Sequence, residues 1–283
     1  MTTEVRGLLA DATRRLAGVG IGSARVDAEL LLAALLDVPR TRLLTLAAVP
    51  APVAAQYEQE VARRATREPL QHITGHAPFR NLVLAVGPGV FVPRPETELL
   101  VDAALPELTA RDEPVVVDLC AGSGALALAI ADEASNARVV AVEKSPVAIH
   151  WLRRNATGTR VQIVTGDIGD RELLRAWSGR VDVVVSNPPY VPAATLVDPE
   201  VRADPAEAVF AGVDGLDLIP TVISCAARLL RPGGFVALEH DDTQGEAVPS
   251  LLRADGHFID VADHLDLSGR ARFATARRFA GHR

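Results

Sequence analysis

Asn187, Pro188, Pro189 and Tyr190 stand in succession directly after a β-type apolar run, residues 181–186. Prolines at a strand end ordinarily only stop the strand. That alone explains neither the asparagine before them nor the tyrosine after. Chemistry explains all four. An amide or aromatic amino nitrogen is a poor nucleophile because its lone pair is delocalised. It must be held with that lone pair aimed at the electrophile. The Asn187 side-chain carbonyl can accept one N–H and the Pro188 backbone carbonyl the other. The prolines fix φ and bring no competing donor. Tyr190 offers a flat face to a planar amide or base. Orientation supplies the rate, so neither a strong base nor a metal is required.

A second group of residues lies upstream. Asp118-Leu119-Cys120-Ala121-Gly122-Ser123-Gly124 follows the apolar run at residues 115–120 and opens a helical stretch. Gly122 and Gly124 permit a tight turn and close approach of backbone to a ligand. No third glycine follows, so the turn is shorter than a dinucleotide fingerprint. Glu143 comes ~20 residues later at a second strand end, where an acid can accept both ribose hydroxyls. Gly166 and Asp167 end a third strand, where a carboxylate can accept from an adenine amino group. Three strand ends carrying these groups point to a nucleotide-like ligand, still unnamed.

The surrounding elements must bring these ends together. Residues 1–70 read as a small helical bundle, with an apolar stripe over 25–36 ended by Pro39 and a second periodic stretch over 53–67 closed by Pro69. Residues 71–93 change character: short β-type runs at 82–86 and 90–92 flank Gly87-Pro88-Gly89, which predicts a hairpin linker. Residues 96–105 read as a helix, from Pro114 onward strands alternate with helices, and two closing strands at 258–262 and 272–276 leave no room for a helix between them. The fold class is therefore α/β: a mostly parallel, doubly wound sheet ending in an antiparallel pair, with ligands at the carboxyl ends of its strands. A tetrapeptide of this kind in fourth place on such a sheet predicts a nitrogen methyltransferase.

Composition sets outer bounds. The chain has 283 residues, is 48% hydrophobic and carries a net charge of −7, enough apolar content for a sizeable core. The acid excess lies beyond residue 85, and no strongly basic face is evident, so a stable nucleic-acid partner is not expected. No apolar run suits a membrane span, and the first residues lack a secretion signal, so a cytoplasmic protein without a membrane partner is expected. Cys120 and Cys225 form no metal-spaced or disulfide framework. His72, His76 and His240 have no partners at metal spacing, so no metal is expected.

On these residues the sequence resembles the bacterial HemK-like (PrmC-type) release factor N5-glutamine methyltransferases. The likeness runs through nearly the whole chain. Glu68-Pro69-Leu70-Gln71-His72-Ile73-Thr74-Gly75 with Phe79, Phe91-Val92-Pro93-Arg94-Pro95-Glu96-Thr97-Glu98, the 118–124 turn, the 187–190 tetrapeptide and Leu238-Glu239-His240 carry it. The tetrapeptide is shared with adenine methyltransferases; the Val-Pro-Arg-Pro-Glu-Thr-Glu stretch is not. The resemblance implies a helical N-terminal domain over 1–70, a β-hairpin linker over 71–93 and a Rossmann-like class I methyltransferase domain over 94–283. It implies S-adenosylmethionine as cofactor, S-adenosylhomocysteine as product, and class 1 peptide chain release factors as partners, methylated on the glutamine of their Gly-Gly-Gln loop. The cofactor would lie against Cys120, Ala121, Gly122, Ser123, Gly124, Glu143, Asp167, Ile168 and Asn187. The glutamine would be held by Asn187, Pro188, Pro189 and Tyr190, with Arg94 and Glu96 ordering the substrate mouth; Asn187, Pro188 and Tyr190 would be catalytic. A monomer is expected. Three positions depart from the family pattern: Cys120 stands where glycine is usual, Glu143 where aspartate is common, and Ile168 where some members have an aromatic, so Ile168 is expected to touch adenine as an aliphatic. The competing readings are an adenine N6-methyltransferase on DNA or RNA, with the base flipped out, and a catalytically silent cofactor-binding partner of translation factors.

Overall fold

A computed structural model of the chain describes residues 2–281; the outermost ends of the expected domain ranges, Met1 and Arg283, lie outside them. The chain divides into two compact units, Met1–His76 with Val197–Ala203, and Ala77–Leu196 with Asp204–Arg283.

In the first unit, β1 (Thr2–Glu4) leads into α1 (Val5–Gly18), followed by α2 (Ala24–Leu36), β2 (Ala48–Pro50), α3 (Ala51–Ala65) and the single-turn α4 (Leu70–Thr74). β1 and β2 pair antiparallel. The buried face of α2 is not the Val26, Leu30, Leu31, Ala34 and Leu35 stripe that the sequence periodicity predicts: Val26 and Ala34 are exposed, and Ala24, Asp27, Ala28, Leu31 and Leu32 turn inward. Leu16, Leu31, Leu32 and Tyr57 are fully enclosed, and the Tyr57 hydroxyl donates to the Ala28 carbonyl at 3.0 Å. α2 stops at Asp37, which takes a left-handed conformation (φ 51°) before Pro39 prevents continuation. Segment Val197–Ala203 returns to this unit through Glu200, which accepts from Arg64 at 2.8 Å and Arg67 at 2.7 Å. Arg64 also donates from Nε to Asp27 at 2.8 Å, both side chains buried.

The second unit opens with a hairpin of β3 (His76–Phe79) and β4 (Leu82–Ala85). Its position differs from the sequence expectation. The turn falls at Arg80, not at Gly87-Pro88-Gly89, and residues 90–92 form no strand. Arg80 adopts φ 53°, and its strain is offset locally: its N–H donates to Glu98 at 2.9 Å and its guanidinium pairs with both Glu133 and Asp102. The Gly87–Gly89 stretch instead lies flat against Trp151 and Val147.

After the hairpin come α5 (Glu98–Leu108), β5 (Val115–Leu119), α6 (Ala125–Glu133), β6 (Arg138–Glu143), α7 (Pro146–Asn155), β7 (Gln162–Thr165) and β8 (Val181–Ser186). Then follow α8 (Ala206–Val209), α9 (Ile219–Leu229), β9 (Leu230–Glu239), α10 (Ala247–Asp255), β10 (Phe258–Leu265) and β11 (Ala271–Arg278). Seven strands form one sheet in the order β10-β11-β9-β8-β5-β6-β7. β9-β8-β5-β6-β7 run parallel; β11 returns antiparallel on β9, and β10 on β11. The valine-rich β5, β6 and β8 are buried on both faces, which is why they read as continuous apolar runs rather than alternating ones. One core layer packs α9 and α10 against the sheet; the other packs α5 and α6 against the opposite face. Strand order reverses around β5, so the carboxyl ends of β5, β6, β7 and β8 converge on one crevice. Among the described residues no helix is long and apolar enough to cross a membrane.

Candidate active site

The turn after β5 is built from left-handed residues. Cys120, Gly122 and Gly124 have φ of 65°, 57° and 91°. Gly122 needs its lack of a side chain for its positive φ alone; a β-carbon there would meet nothing within 4 Å and project into open space. The turn is tied to β6 by Glu143. Its Oε2 accepts the Gly122 N–H at 2.8 Å, and its Oε1 accepts the Lys144 and Ser145 N–H groups, each at 2.8 Å. Asn155 of α7 fixes the other side, donating to the carbonyls of Ser123 and Ala85, each at 3.0 Å.

Asp118 lies beneath the turn. Its Oδ2 accepts the Ala127 N–H at 3.1 Å, while Oδ1, fully buried, has no hydrogen-bond partner. Burial, with a small contribution from Glu143, pushes its carboxyl up to about 8. A buried acceptor left open beside a glycine turn marks a place for a donor from a ligand. Burial likewise drives the Cys120 thiol upward, so it is no thiolate nucleophile.

One cavity joins these groups. Cys120, Ala121, Gly122, Ser123, Glu143, Asp167, Ile168, Asn187 and Pro189 all line it, and Phe91, Thr97 and Glu207 contribute to its wall. Ile168 is buried, whereas Asp167 is exposed and its Oδ1 accepts the Gly169 N–H at 2.8 Å. The lining suits an adenosyl group: an acid at the β6 end with one acceptor position left on Oε2, a glycine turn that lets a ligand approach the backbone, and an aliphatic side chain with a carboxylate at the β7 end.

Five expected site residues do not line the cavity. Gly124 faces Leu152 and Leu128 as the start of α6. Pro188 is buried. Arg94 pairs with Asp204 and stacks on the Phe91 ring at 5.0 Å from its centroid. Asp204 also accepts the Val92 N–H at 3.2 Å, and burial, opposed by Arg94, sets its carboxyl at about 6. Glu96 is exposed. Tyr190 turns its hydroxyl away to donate to Glu239 Oε1 at 2.9 Å, and its backbone carbonyl accepts from Gln244 at 3.0 Å.

Several residues that shape the site had no assigned role in the sequence. The Asn187 amide donates to the Thr97 hydroxyl at 3.0 Å. Thr97, Glu239 and Gln244 are all buried. Thr97 and Glu239 lie inside the quoted signatures; a buried polar residue within a β-strand, as Glu239 is, was the available signal. Gln244 and Asp204 carry no local pattern that would single them out.

Comparison with known proteins agrees with this architecture. A family model described as the PrmC N-terminal domain matches residues 7–75, and one described as the methyltransferase small domain matches residues 84–201. The chain is 48% identical over 279 residues to the release factor glutamine methyltransferase of Mycolicibacterium smegmatis, covering 98% of this chain and 99% of that one. It is 53% identical to the protein of the same name from Streptomyces coelicolor, covering 95% and 96%. Among solved structures, the T. thermophilus 16S rRNA N2 G1207 methyltransferase, in complex with AdoMet and guanosine, aligns with TM-score 0.51 at 22% identity over 72% of this chain and 49% of that one, a likeness of fold. On relatives of this identity and coverage, the chain belongs to the family of release factor glutamine methyltransferases.

Proposed function

We propose that this protein transfers the methyl group of S-adenosylmethionine to the side-chain amide nitrogen of the Gly-Gly-Gln glutamine in class 1 peptide chain release factors. The observation that carries this reading is the single cavity in which the 120–123 turn and Glu143 face Asn187 and Pro189. S-adenosylmethionine, when bound, supplies a methyl carbon made electrophilic by its sulfonium. Glu143 would accept a ribose hydroxyl through the position left on Oε2, Ile168 and Asp167 would receive its adenine, and Asp118 would take a donor through Oδ1.

The protein's own part is orientation. The Asn187 Nδ2 is committed to Thr97, so Oδ1 is the atom left for a substrate N–H. In this reading the Pro188 carbonyl is the second acceptor and Tyr190 the flat neighbour, both beside Asn187 in the tetrapeptide though outside the cavity lining. Two acceptors take the two amide hydrogens and turn the nitrogen lone pair out of conjugation. Ordering of this kind accounts for ~7 kcal/mol or more of a barrier when reacting groups are held in near-attack geometry. Arg94 acts indirectly, by fixing Asp204 and with it the start of the α8 wall. We read the protein as acting alone in the cytoplasm without a stable nucleic-acid partner.

The test is incubation with methyl-labelled S-adenosylmethionine and a class 1 release factor, followed by mass spectrometry. Label on the Gly-Gly-Gln glutamine is expected. Intact cofactor binding with no label there, or label on an oligonucleotide offered in parallel, overturns the reading.

A further inference from the structure

The Asn187 side chain has two ends of similar shape and opposite hydrogen-bonding character. Only one can serve a substrate that presents N–H groups. What decides which end faces the cavity is therefore a specificity question. Nδ2 donates to Thr97 Oγ1 at 3.0 Å, and Thr97 is only 3% exposed. A hydroxyl can accept or donate; bound to Nδ2, the Thr97 oxygen serves as the acceptor and holds the NH2 end of the amide away from the cavity. The other end of the tetrapeptide has its own buried holder. Glu239 is 1% exposed, its Oε1 accepts the Tyr190 hydroxyl at 2.9 Å, and its Oε2 is buried with no hydrogen-bond partner.

We propose that Thr97 and Glu239 are positioning residues: Thr97 holds the Asn187 NH2 group and so presents the Asn187 oxygen toward the cavity, and Glu239 holds the Tyr190 phenol at the other end of the tetrapeptide. This rests on the proposed amide methylation. Glu239 does not line the cavity; it acts through Tyr190, while Thr97, which does line it, acts through Asn187. Burial raises its carboxyl to about 7, with Thr97, Tyr190 and Arg272 opposing and Glu96 reinforcing the rise. Arg272 is itself held by Asp266. A buried acid retained at the end of β9 has an evident use in this relay.

The experiment compares Thr97→Val, Thr97→Ser and Glu239→Gln with wild type, all as full chains. The first readout needs no turnover: the Asn187 side-chain NH2 resonances in a 15N spectrum and their exchange with solvent. Protection in wild type and Thr97→Ser, and its loss in Thr97→Val, is expected. The second is kinetic. Thr97→Val and Glu239→Gln should lower kcat on the release factor about 10²-fold, in the range found for losing one orienting hydrogen-bond group. KM, S-adenosylmethionine binding and Tm should stay near wild type, and Thr97→Ser should recover most of kcat. An unprotected Asn187 amide in wild type overturns the proposal, as does equal kcat in Thr97→Val, or loss in Thr97→Ser as large as in Thr97→Val. Should wild type fail to label the release factor, the functional reading falls, while the amide readout still judges the relay.

Discussion

The backbone carbonyl of Tyr190 approaches Gly215 so closely that a β-carbon at Gly215 would sit 2.0 Å from its oxygen. Gly215 also has φ 76°, and the same Tyr190 carbonyl accepts from Gln244. Three constraints thus meet on the residue that ends the tetrapeptide. Gly215→Ala must move the Tyr190 backbone, because the clash is with main chain and not with a flexible side-chain tip. Strain at the positive φ alone costs about 1–3 kcal/mol. We expect a lower Tm together with a loss of kcat of about 10²-fold or more, the scale of a 1 Å misplacement in a reactive site. Unchanged kcat in a folded Gly215→Ala protein would show that Tyr190 needs no such anchoring.

The sheet, its antiparallel end and the four strand-end groups were legible in the sequence because each rests on local pattern: valine runs, glycine turns, an acid or an asparagine at the right spacing. The hairpin was misplaced because glycine and proline at 87–89 are stronger turn signals than Arg80-Asn81. What holds the Arg80 turn is a set of contacts with Glu98, Glu133 and Asp102, distant in sequence. The same limit hid Gln244, Asp204 and the return of residues 197–203 to the helical unit. Their roles exist only through partners far along the chain, with no periodicity to betray them.

Burial raises four carboxyls, Glu60 among them, and three of these fix the sign of a pH effect near neutrality. Burial is the leading cause in each: Asp204 to about 6, Glu239 to about 7 and Asp118 to about 8. Folded, each holds its proton more tightly than unfolded, so the stability each contributes is complete below about pH 4 and is lost as pH rises through the folded value. Glu29, Glu133, Glu200 and Asp266 are shifted downward and lose stability only on acidification. His264, lowered by burial, opposes the trend only below its ordinary value of 6.5. Tm should therefore fall between pH 6.5 and pH 8. Asp118→Asn should flatten that slope while leaving the Ala127 N–H an acceptor. A Tm that climbs over this range would contradict the burial of these acids.

Cys120 tests the departure from glycine at the cofactor turn. Its φ of 65° places a side chain where glycine is at ease. The left-handed conformation costs a non-glycine residue ~1–2 kcal/mol, against ~0.5–1 kcal/mol that glycine loses in chain entropy. Cys120→Gly should thus be neutral or slightly stabilising, with S-adenosylmethionine affinity retained. Gly122→Val, by contrast, adds strain at φ 57° and puts bulk into the cavity. It should abolish binding measured by calorimetry in a protein that still unfolds cooperatively. Strong binding by Gly122→Val would remove the turn from the cofactor site.

Arg64 makes a separable prediction about the helical unit. Its guanidinium pairs with buried Asp27 and with Glu200, and it donates to the Glu68 carbonyl as well. Removing it strands Asp27, and an uncompensated buried charge costs about 3–5 kcal/mol. Arg64→Met should therefore lower the stability of the helical unit by an amount in that range, and Asp27→Asn in the same chain should restore part of it. The two changes act on different partners of Arg64. Losing the guanidinium also frees Glu200, which keeps only Arg67, so residues 197–203 should become more open to limited proteolysis. Asp27→Asn repairs the stranded charge but not the hold on Glu200. The double variant should thus regain stability while its 197–203 segment stays protease-sensitive. Recovery of both together would mean that the segment is retained by the fold of the unit and not by this ion pair.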